Sequence, residues 1–137
     1  MKTVLLSLHP KWWTKILTGE KVIEVRKSKP LDIEPNEKVK VIVYVTGNVG
    51  VVGEFICDKF YKIRMLPTIQ LNIGVEHINL CSASCLSSKE LYKYAGKRQN
   101  PMWGWSVTKV KDYGHPKPLS EFGLSRPPQS WMYLNLD

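Results

Sequence analysis

A short segment near the start of the sequence, residues 19–26, carries charged side chains whose spacing suits ligand binding. It reads GEKVIEVR and fits the pattern G-x-K-x-x-E-x-R. Glu24 and Arg26 are two residues apart, so they share one face of a strand. Lys21 lies at the junction of a turn and that strand, where its side chain can reach into a cleft. Glu24 can accept a hydrogen bond from Arg26 or from the exocyclic amine of a base, so the segment predicts either a self-contained ion pair or a ligand site.

Positive charge is concentrated around this segment. The 137-residue chain has 20 basic and 12 acidic residues, a formal charge of +8 and a pI near 9.4. Residues 1–29 contain only Glu20 and Glu24 as acids and carry +5, from seven basic residues: Lys2, Lys11, Lys15, Lys21, Arg26, Lys27 and Lys29. This concentration favours an anionic partner such as nucleic acid, a nucleotide or a membrane surface. The alternative is charge that only keeps the protein soluble.

The five tryptophans are an unusually large number for a chain of this length. Trp12 and Trp13 adjoin the basic segment, Trp103 and Trp105 share one face of a predicted strand, and Trp131 begins the last predicted strand. Aromatic faces beside cations can stack on unpaired bases, although aromatic side chains also dominate protein cores. Neighbouring residues on a helix point about 100° apart, so Trp12 and Trp13 cannot both face inward. We therefore expect one of them to be partly exposed and available for stacking.

Other reactive side chains give weaker signals. Cys57, Cys81 and Cys85 are too few and odd in number for a disulfide framework, which favours a reduced, cytoplasmic protein. His77, Cys81 and Cys85 are spaced by four and would share a helix face, but structural zinc sites favour two residues between cysteines. We predict buried thiols and no metal. The sequence has no Walker phosphate loop, no dinucleotide fingerprint and no evident nucleophile–base pair, so no cofactor is predicted.

The apolar pattern places these side chains in one small α+β domain, residues 1–137. We predict a helix at 11–18, with Pro10 in its first turn, and a helix at 88–95, with a serine cap at Ser87 and Glu90 near the third position. We predict strands at 3–8, 21–26, 39–46, 51–61, 103–111 and 131–136. Residues 63–85 are expected to form loops with a short helix, and the proline-rich segment 114–128 an extended loop. Strands that cluster without alternating helices indicate a small mixed β-barrel of about five or six strands flanked by short helices. The apolar runs are too short for a membrane span, and no cleavable signal is predicted.

The segment 19–26 and its surroundings resemble the signature of the ASCH domain, a relative of the PUA RNA-binding fold. The chain end is also similar to this family, with Pro118-Leu119 and then Pro128-Gln129-Ser130-Trp131 before the last strand. The closest resemblance is to small stand-alone ASCH proteins of bacteria and their phages. It implies a barrel with a cleft beside the signature and binding of RNA, of another single-stranded nucleic acid or of a nucleoside-like ligand. The expected ligand-binding residues are Lys11, Trp12, Trp13, Lys21, Glu24, Arg26, Lys27, Trp103, Gln129 and Ser130.

The resemblance also implies alternatives in which Lys21 and Glu24 are catalytic. One ASCH branch removes the acetyl group from 4-acetylcytidine with a lysine, a threonine three residues later and a glutamate near the later helix. Lys21 matches the lysine, but Glu24 stands in place of the threonine, and the nearest carboxylates to residues 84–86 are Glu76 and Glu90. A ribonuclease would need a general acid and base, for which Lys21, Glu24 and Tyr92 or Tyr94 are available. The sequence leaves the ligand and the oligomeric state open.

Overall fold

The structure, a computed structural model, describes residues 1–34, 36–65, 69–72, 79–97 and 100–135. Its strands are β1 (Lys2–Leu8), β2 (Ile23–Arg26), β3 (Val39–Val45), β4 (Gly50–Cys57), β5 (Phe60–Arg64), β6 (Gln70–Asn72), β7 (Met102–Ser106), β8 (Thr108–Lys117) and β9 (Trp131–Leu134). The helices are α1 (Pro10–Leu17), α2 (Leu80–Ser84), α3 (Ser88–Ala95) and a 3-10 turn at Leu119–Phe122. None of these described helices is long and apolar enough to cross a membrane.

The strands form two sheets. The larger sheet has the order β8-β4-β3-β1-β9, with β1 parallel to β3 and the other neighbours antiparallel. The smaller sheet has the order β2-β7-β5-β6 and is antiparallel throughout. Residues 4–8 of β1 are all buried, because side chains alternate between the faces of a sheet and both faces of this sheet are covered. The charged segment 19–26 ends in β2 of the smaller sheet, whereas β1 belongs to the larger one.

Helix α1 connects β1 to the segment that leads into β2. Pro10 occupies its first turn, where the missing N–H costs no hydrogen bond. Trp13 and Ile16 face the core, and the Trp13 ring packs directly over the backbone of Gly53 on β4. A Cβ atom at position 53 would lie 2.6 Å from that ring, so this close approach requires glycine. The packing fixes the helix and leaves Trp12 pointing to its other side.

Helix α3 is positioned by a capping box at its start. The Ser87 hydroxyl accepts the Glu90 N–H, and the Glu90 carboxylate accepts the Ser87 N–H, both at 3.1 Å. These two bonds satisfy amide groups that have no partner within the helix. Leu91 and Ala95 then pack into the apolar cluster that contains Ile23 and Val25 of β2. The opposite side of α3, with Glu90, Lys93 and Tyr94, is left exposed.

The α+β class and the two predicted helices are confirmed, but the number of strands is larger than the predicted five or six. The strand predicted at 51–61 is interrupted because the hydroxyl of Ser106 accepts the N–H groups of Asp58 and Lys59, each at 3.0 Å. The strand predicted at 103–111 is divided at Val107, whose N–H is directed to the carbonyl of Val22 at 2.9 Å. These two divisions turn six predicted strands into eight, and β6, in the segment 63–85 that was expected to form loops with a short helix, brings the described strands to nine.

Two further expectations about the strands need revision. The predicted extended loop at 114–128 is wrong at its start, because β8 continues to Lys117. β8 lies at the edge of the larger sheet, where the missing N–H of Pro116 is tolerated. The predicted barrel is not confirmed, because the described strands form two separate hydrogen-bonded sheets without closure. The domain boundary 1–137 stays a prediction.

Candidate ligand-binding site

The ammonium group of Lys21 is held inside the protein beside α2. Lys21 is 1% exposed, and its Nζ donates to the carbonyl oxygen of Ser84 at 2.7 Å and forms an ion pair with Glu24 Oε1 at 3.1 Å. The Ser84 carbonyl lies at the C-terminal end of α2, where carbonyls lack helical partners and attract cations. The preceding carbonyl, of Ala83, accepts the N–H of Val22 at 2.8 Å. Lys21 and Val22, just before β2, therefore donate hydrogen bonds to the last two carbonyl groups of α2.

Glu24 joins Lys21 to Arg26 through its two carboxylate oxygens. Oε1 pairs with Lys21, and Oε2 accepts Arg26 Nε at 2.9 Å and Nη2 at 2.6 Å. Burial by itself raises the pKa of the Glu24 carboxyl, but the charges and hydrogen bonds of Arg26 and Lys21 outweigh burial and hold the pKa below its ordinary value. The predicted Glu24–Arg26 pair is thus present, and Glu24 is an anion whose two oxygens both serve internal cations.

The guanidinium of Arg26 links three parts of the chain. Besides Glu24, it donates from Nη2 to the carbonyl of Ser7 on β1 at 2.8 Å and from Nη1 to the hydroxyl of Ser130 at 3.1 Å. Arg26 lies on β2 in the smaller sheet, whereas Ser7 belongs to the larger one. A planar fork of five donors suits such a junction, because each N–H can reach a different acceptor. Arg26 therefore ties the two sheets together beside the loop that precedes β9.

A cleft of about 840 Å³ opens beside this buried charge cluster. Its walls come from β1 and the turn after it, from α1, from β2 and from the exposed side of α3. The lining residues are Ser7, His9, Trp12, Lys21, Glu24, Val25, Arg26, Lys27, Thr46, Leu86, Glu90, Lys93, Tyr94 and Gln129. The volume is in the range of small-molecule and cofactor sites. One nucleotide, or one base with its flanking backbone, is of a size that fits.

Trp12 supplies the aromatic surface of the cleft. It is half-buried, whereas Trp13 is 7% exposed and belongs to the core, so the expectation that one of the two is accessible is confirmed. The ammonium groups of Lys11 and Lys21 each lie 4.8 Å from the centroid of the Trp12 ring. This distance is within the range of cation–π attraction. Both ammonium groups lie over the ring, so cation–π attraction holds the ring in place and surrounds it with positive charge.

The wall opposite β1 combines cations, a tyrosine and one carboxylate. Lys27 Nζ lies 4.7 Å from the ring centroid of Tyr94, and both side chains are exposed. Lys93 is exposed as well, and no ion pair of it is found within the described part of the chain. The backbone hydrogen bond from Ser87 lowers the pKa of Glu90 below its usual range, so its carboxylate is ionised near neutral pH. This wall can therefore offer positive charge to an anion and an acceptor to a hydrogen-bond donor.

The structure brings most of the predicted site residues together. Trp12, Lys21, Glu24, Arg26, Lys27 and Gln129 line the cleft, while Lys11 and Ser130 contact lining residues. Two predicted residues lie elsewhere. Trp13 is in the core, and Trp103 lies outside the cleft, with the ammonium of Lys29 at 5.0 Å from its ring. The two are displaced because α1 turns the Trp13 ring toward β4, and because β7 places Trp103 away from α3.

Sequence analysis did not predict the contribution of β1 and its following turn, or that of Lys93. His9 and Thr46 meet at the cleft, with His9 Nδ1 and Thr46 Oγ1 3.4 Å apart. His9 follows β1 and Thr46 follows β3, and the parallel pairing of these strands brings their ends together. No local sequence pattern predicts this pairing. The sequence could have indicated Lys93, because Lys89 and Lys93 are four residues apart and this spacing is typical of one exposed helix face.

The described residues contain no group of three or more histidine, cysteine or carboxylate side chains that could hold a metal ion. His77, the histidine spaced by four from Cys81, lies outside the described residues, and so does Glu76. Within the described part, Cys57 is buried, and burial raises the pKa of its thiol to about 12. Cys57 is therefore a packing residue in the core.

The structure is similar to crystal structures of an ASCH protein from Zymomonas mobilis. That protein gives a TM-score of 0.74 at 18% identity, covering 98% of this chain and 89% of that one. Two of its mutant proteins give TM-scores of 0.74 and 0.73 at 19% identity, covering 99% and 98% of this chain and 92% and 89% of theirs. No protein-family model and no curated protein matches the sequence. The likeness establishes the fold and confirms the ASCH resemblance at that level.

Proposed function

We propose that this chain, which has the fold of ASCH proteins, binds single-stranded RNA or a nucleotide in the cleft beside Lys21. The observation that carries the proposal is the combination, in one cleft, of an accessible tryptophan ring with exposed lysines. Stacking on an aromatic ring recognises any unpaired base, and lysines attract the phosphates that flank it. The net charge of +8 favours the same class of partner.

In this proposal the phosphate contacts come from exposed lysines rather than from the buried signature charges. Lys21 and Arg26 share one carboxylate and donate their hydrogen bonds inward, which leaves them little to offer a phosphate. Lys27 and Lys93 line the cleft with exposed side chains, and Lys11 lies next to the Trp12 ring. Removing a phosphate-binding lysine lowers the salt dependence of binding, because fewer counterions are released.

The central test measures the salt dependence of binding for two lysines on one helix. A fluorescently labelled single-stranded RNA ten-mer is titrated with protein, and anisotropy is followed between 50 and 200 mM salt. Lys93→Ala should weaken binding and reduce the slope of log K against log salt by about 0.7. Lys89→Ala removes a lysine that does not line the cleft and is the matched control. Equal slopes for wild type and both variants would contradict the proposed phosphate contact.

A second candidate function, hydrolysis of a modified nucleoside or of RNA, has one specific observation in its favour. Thr46 and Glu90 line the same cleft as Lys21, so a hydroxyl and a carboxylate accompany the lysine even though position 24 is a glutamate. Against it, Lys21 is 1% exposed and its Nζ is already engaged by the Ser84 carbonyl at 2.7 Å and by Glu24 at 3.1 Å, so it is poorly placed to attack a substrate. We therefore propose binding as the main function and hydrolysis as the alternative. Release of cytidine from 4-acetylcytidine is the measurement that would favour the hydrolase.

A further inference from the structure

The backbone on both sides of Gln129 is fixed by hydrogen bonds from other elements. The hydroxyl of Ser7 on β1 donates to the carbonyl of Pro128 at 2.7 Å, and its backbone N–H donates to the carbonyl of Ser130 at 2.9 Å. Arg26 adds a third bond, from Nη1 to the hydroxyl of Ser130 at 3.1 Å. Gln129 lies between these anchors, is exposed and lines the cleft.

Gln129 is the residue of this tethered segment that lines the cleft, and its side chain ends in a carboxamide. None of the hydrogen bonds found among the described residues uses it. An amide side chain carries a donor and an acceptor next to each other, which is the arrangement that pairs with a base edge in two places at once. Because its backbone is already ordered, the conformational entropy lost on binding is confined to the rotamers of the side chain.

Resting on the proposed function, we propose that Gln129 is the specificity-determining residue of the cleft and reads the hydrogen-bonding edge of the bound base. The favoured bases are those in which an exocyclic amino group stands beside a ring nitrogen, as in adenine and cytosine. The carboxamide oxygen accepts from the amino group, and the carboxamide N–H donates to the ring nitrogen. The carboxamide alone would also pair with uracil, whose N3–H lies beside a carbonyl oxygen. The selection therefore comes from the ionised Glu90, which lines the same cleft and only accepts hydrogen bonds: an amino group can donate one N–H to Gln129 and the other to Glu90, whereas the uracil edge has a single N–H.

This assignment gives the buried charge cluster a role in recognition without direct contact to the base. Arg26 is a positioning residue, because it holds Ser130 and thereby the backbone that carries Gln129. Ser7 acts in the same way through Pro128. Loosening either anchor should reduce discrimination between bases, while the lysine contacts to phosphate remain and keep the salt dependence unchanged.

The experiment compares the affinity of the full chain for ten-mers of adenylate, cytidylate and uridylate. Wild type should bind the adenylate and cytidylate strands about tenfold more tightly than the uridylate strand, the scale of one bidentate contact. Gln129→Leu keeps side-chain volume but removes the hydrogen-bonding groups, and should narrow this ratio to about twofold with an unchanged salt slope. Ser130→Ala removes one anchor of the Gln129 backbone and should narrow the affinity ratio in part. Ser125→Ala, in the same exposed segment but outside the cleft, should leave it unchanged.

The outcomes separate this inference from the proposed function. If Gln129→Leu keeps the wild-type ratio, or if wild type binds the three strands equally, Gln129 does not read the base, although the protein still binds RNA. If wild type binds none of the strands, the proposed function fails and this inference fails with it. Circular dichroism of each variant establishes that its fold is intact before the ratios are compared.

Discussion

Replacing Glu24 by glutamine tests whether the buried charge cluster depends on its single anion. Glu24 makes three close contacts to cations, at 3.1 Å to Lys21 and at 2.9 and 2.6 Å to Arg26, and is 4% exposed. Glu24→Gln keeps the size of the side chain but leaves the buried Lys21 and the partly buried Arg26 without a counter-charge. Breaking a buried ion pair from one side costs about 3–5 kcal/mol. For a domain of this size that corresponds to a loss of roughly 10–20 °C in melting temperature.

The assay is thermal and urea unfolding followed by circular dichroism, with Glu20→Gln as the matched control. Glu20 is also paired with a lysine, Lys15, at 3.0 Å, but that pair is on the surface, where solvent and salt screen it. Glu20→Gln should therefore change the melting temperature little. If Glu24→Gln is no less stable than Glu20→Gln, the cluster does not stabilise the fold and the reasoning about Arg26 as a tie between sheets is refuted.

Three further predictions concern pH, stacking and catalysis. The stability difference between wild type and Glu24→Gln should be constant near pH 7 and should shrink as pH falls below about 4. The reason is that a carboxyl whose pKa is lowered by folding stabilises the protein only while it is ionised. A stability difference that stays constant down to pH 2 in unfolding experiments would contradict this prediction. Trp12→Leu should weaken RNA binding by about 1–3 kcal/mol, whereas Trp103→Leu, outside the cleft, should not; anisotropy titrations compare the two. Purified protein incubated with 4-acetylcytidine should release no cytidine by chromatography, and turnover that disappears in Lys21→Ala would make the chain an amidohydrolase.

The features that sequence analysis predicted correctly depend on local rules. Pro10 marks the start of α1, and the serine–glutamate pair at positions 87 and 90 marks the start of α3, because both signals act within one turn of helix. The angular spacing of helical neighbours separates Trp12 from Trp13. The two-residue period of a strand places Glu24 and Arg26 side by side. Each of these inferences needs only residues that are close in sequence.

The features that were missed depend on contacts between distant parts of the chain. Arg26 reaches Ser130, 104 residues away, and Lys21 reaches the Ser84 carbonyl, 63 residues away. Nothing in the segment 19–26 indicates that its cations are satisfied by these partners rather than by a ligand. The end of β8 was predicted as a loop because it contains glycine and proline, and only the sheet order shows that it lies at an edge. Long-range pairing therefore decides which of the predicted charges are available to a ligand.

The most direct test of the proposed cleft follows the indole N–H signals of the five tryptophans by two-dimensional NMR during titration with a single-stranded RNA ten-mer. The Trp12 signal, assigned with Trp12→Phe, should shift first and furthest, because its ring is the aromatic surface of the cleft. The signal of Trp105, which is fully buried, should stay in place. Shifts that spare Trp12 while RNA binds would contradict the account and place the interface elsewhere on the molecule.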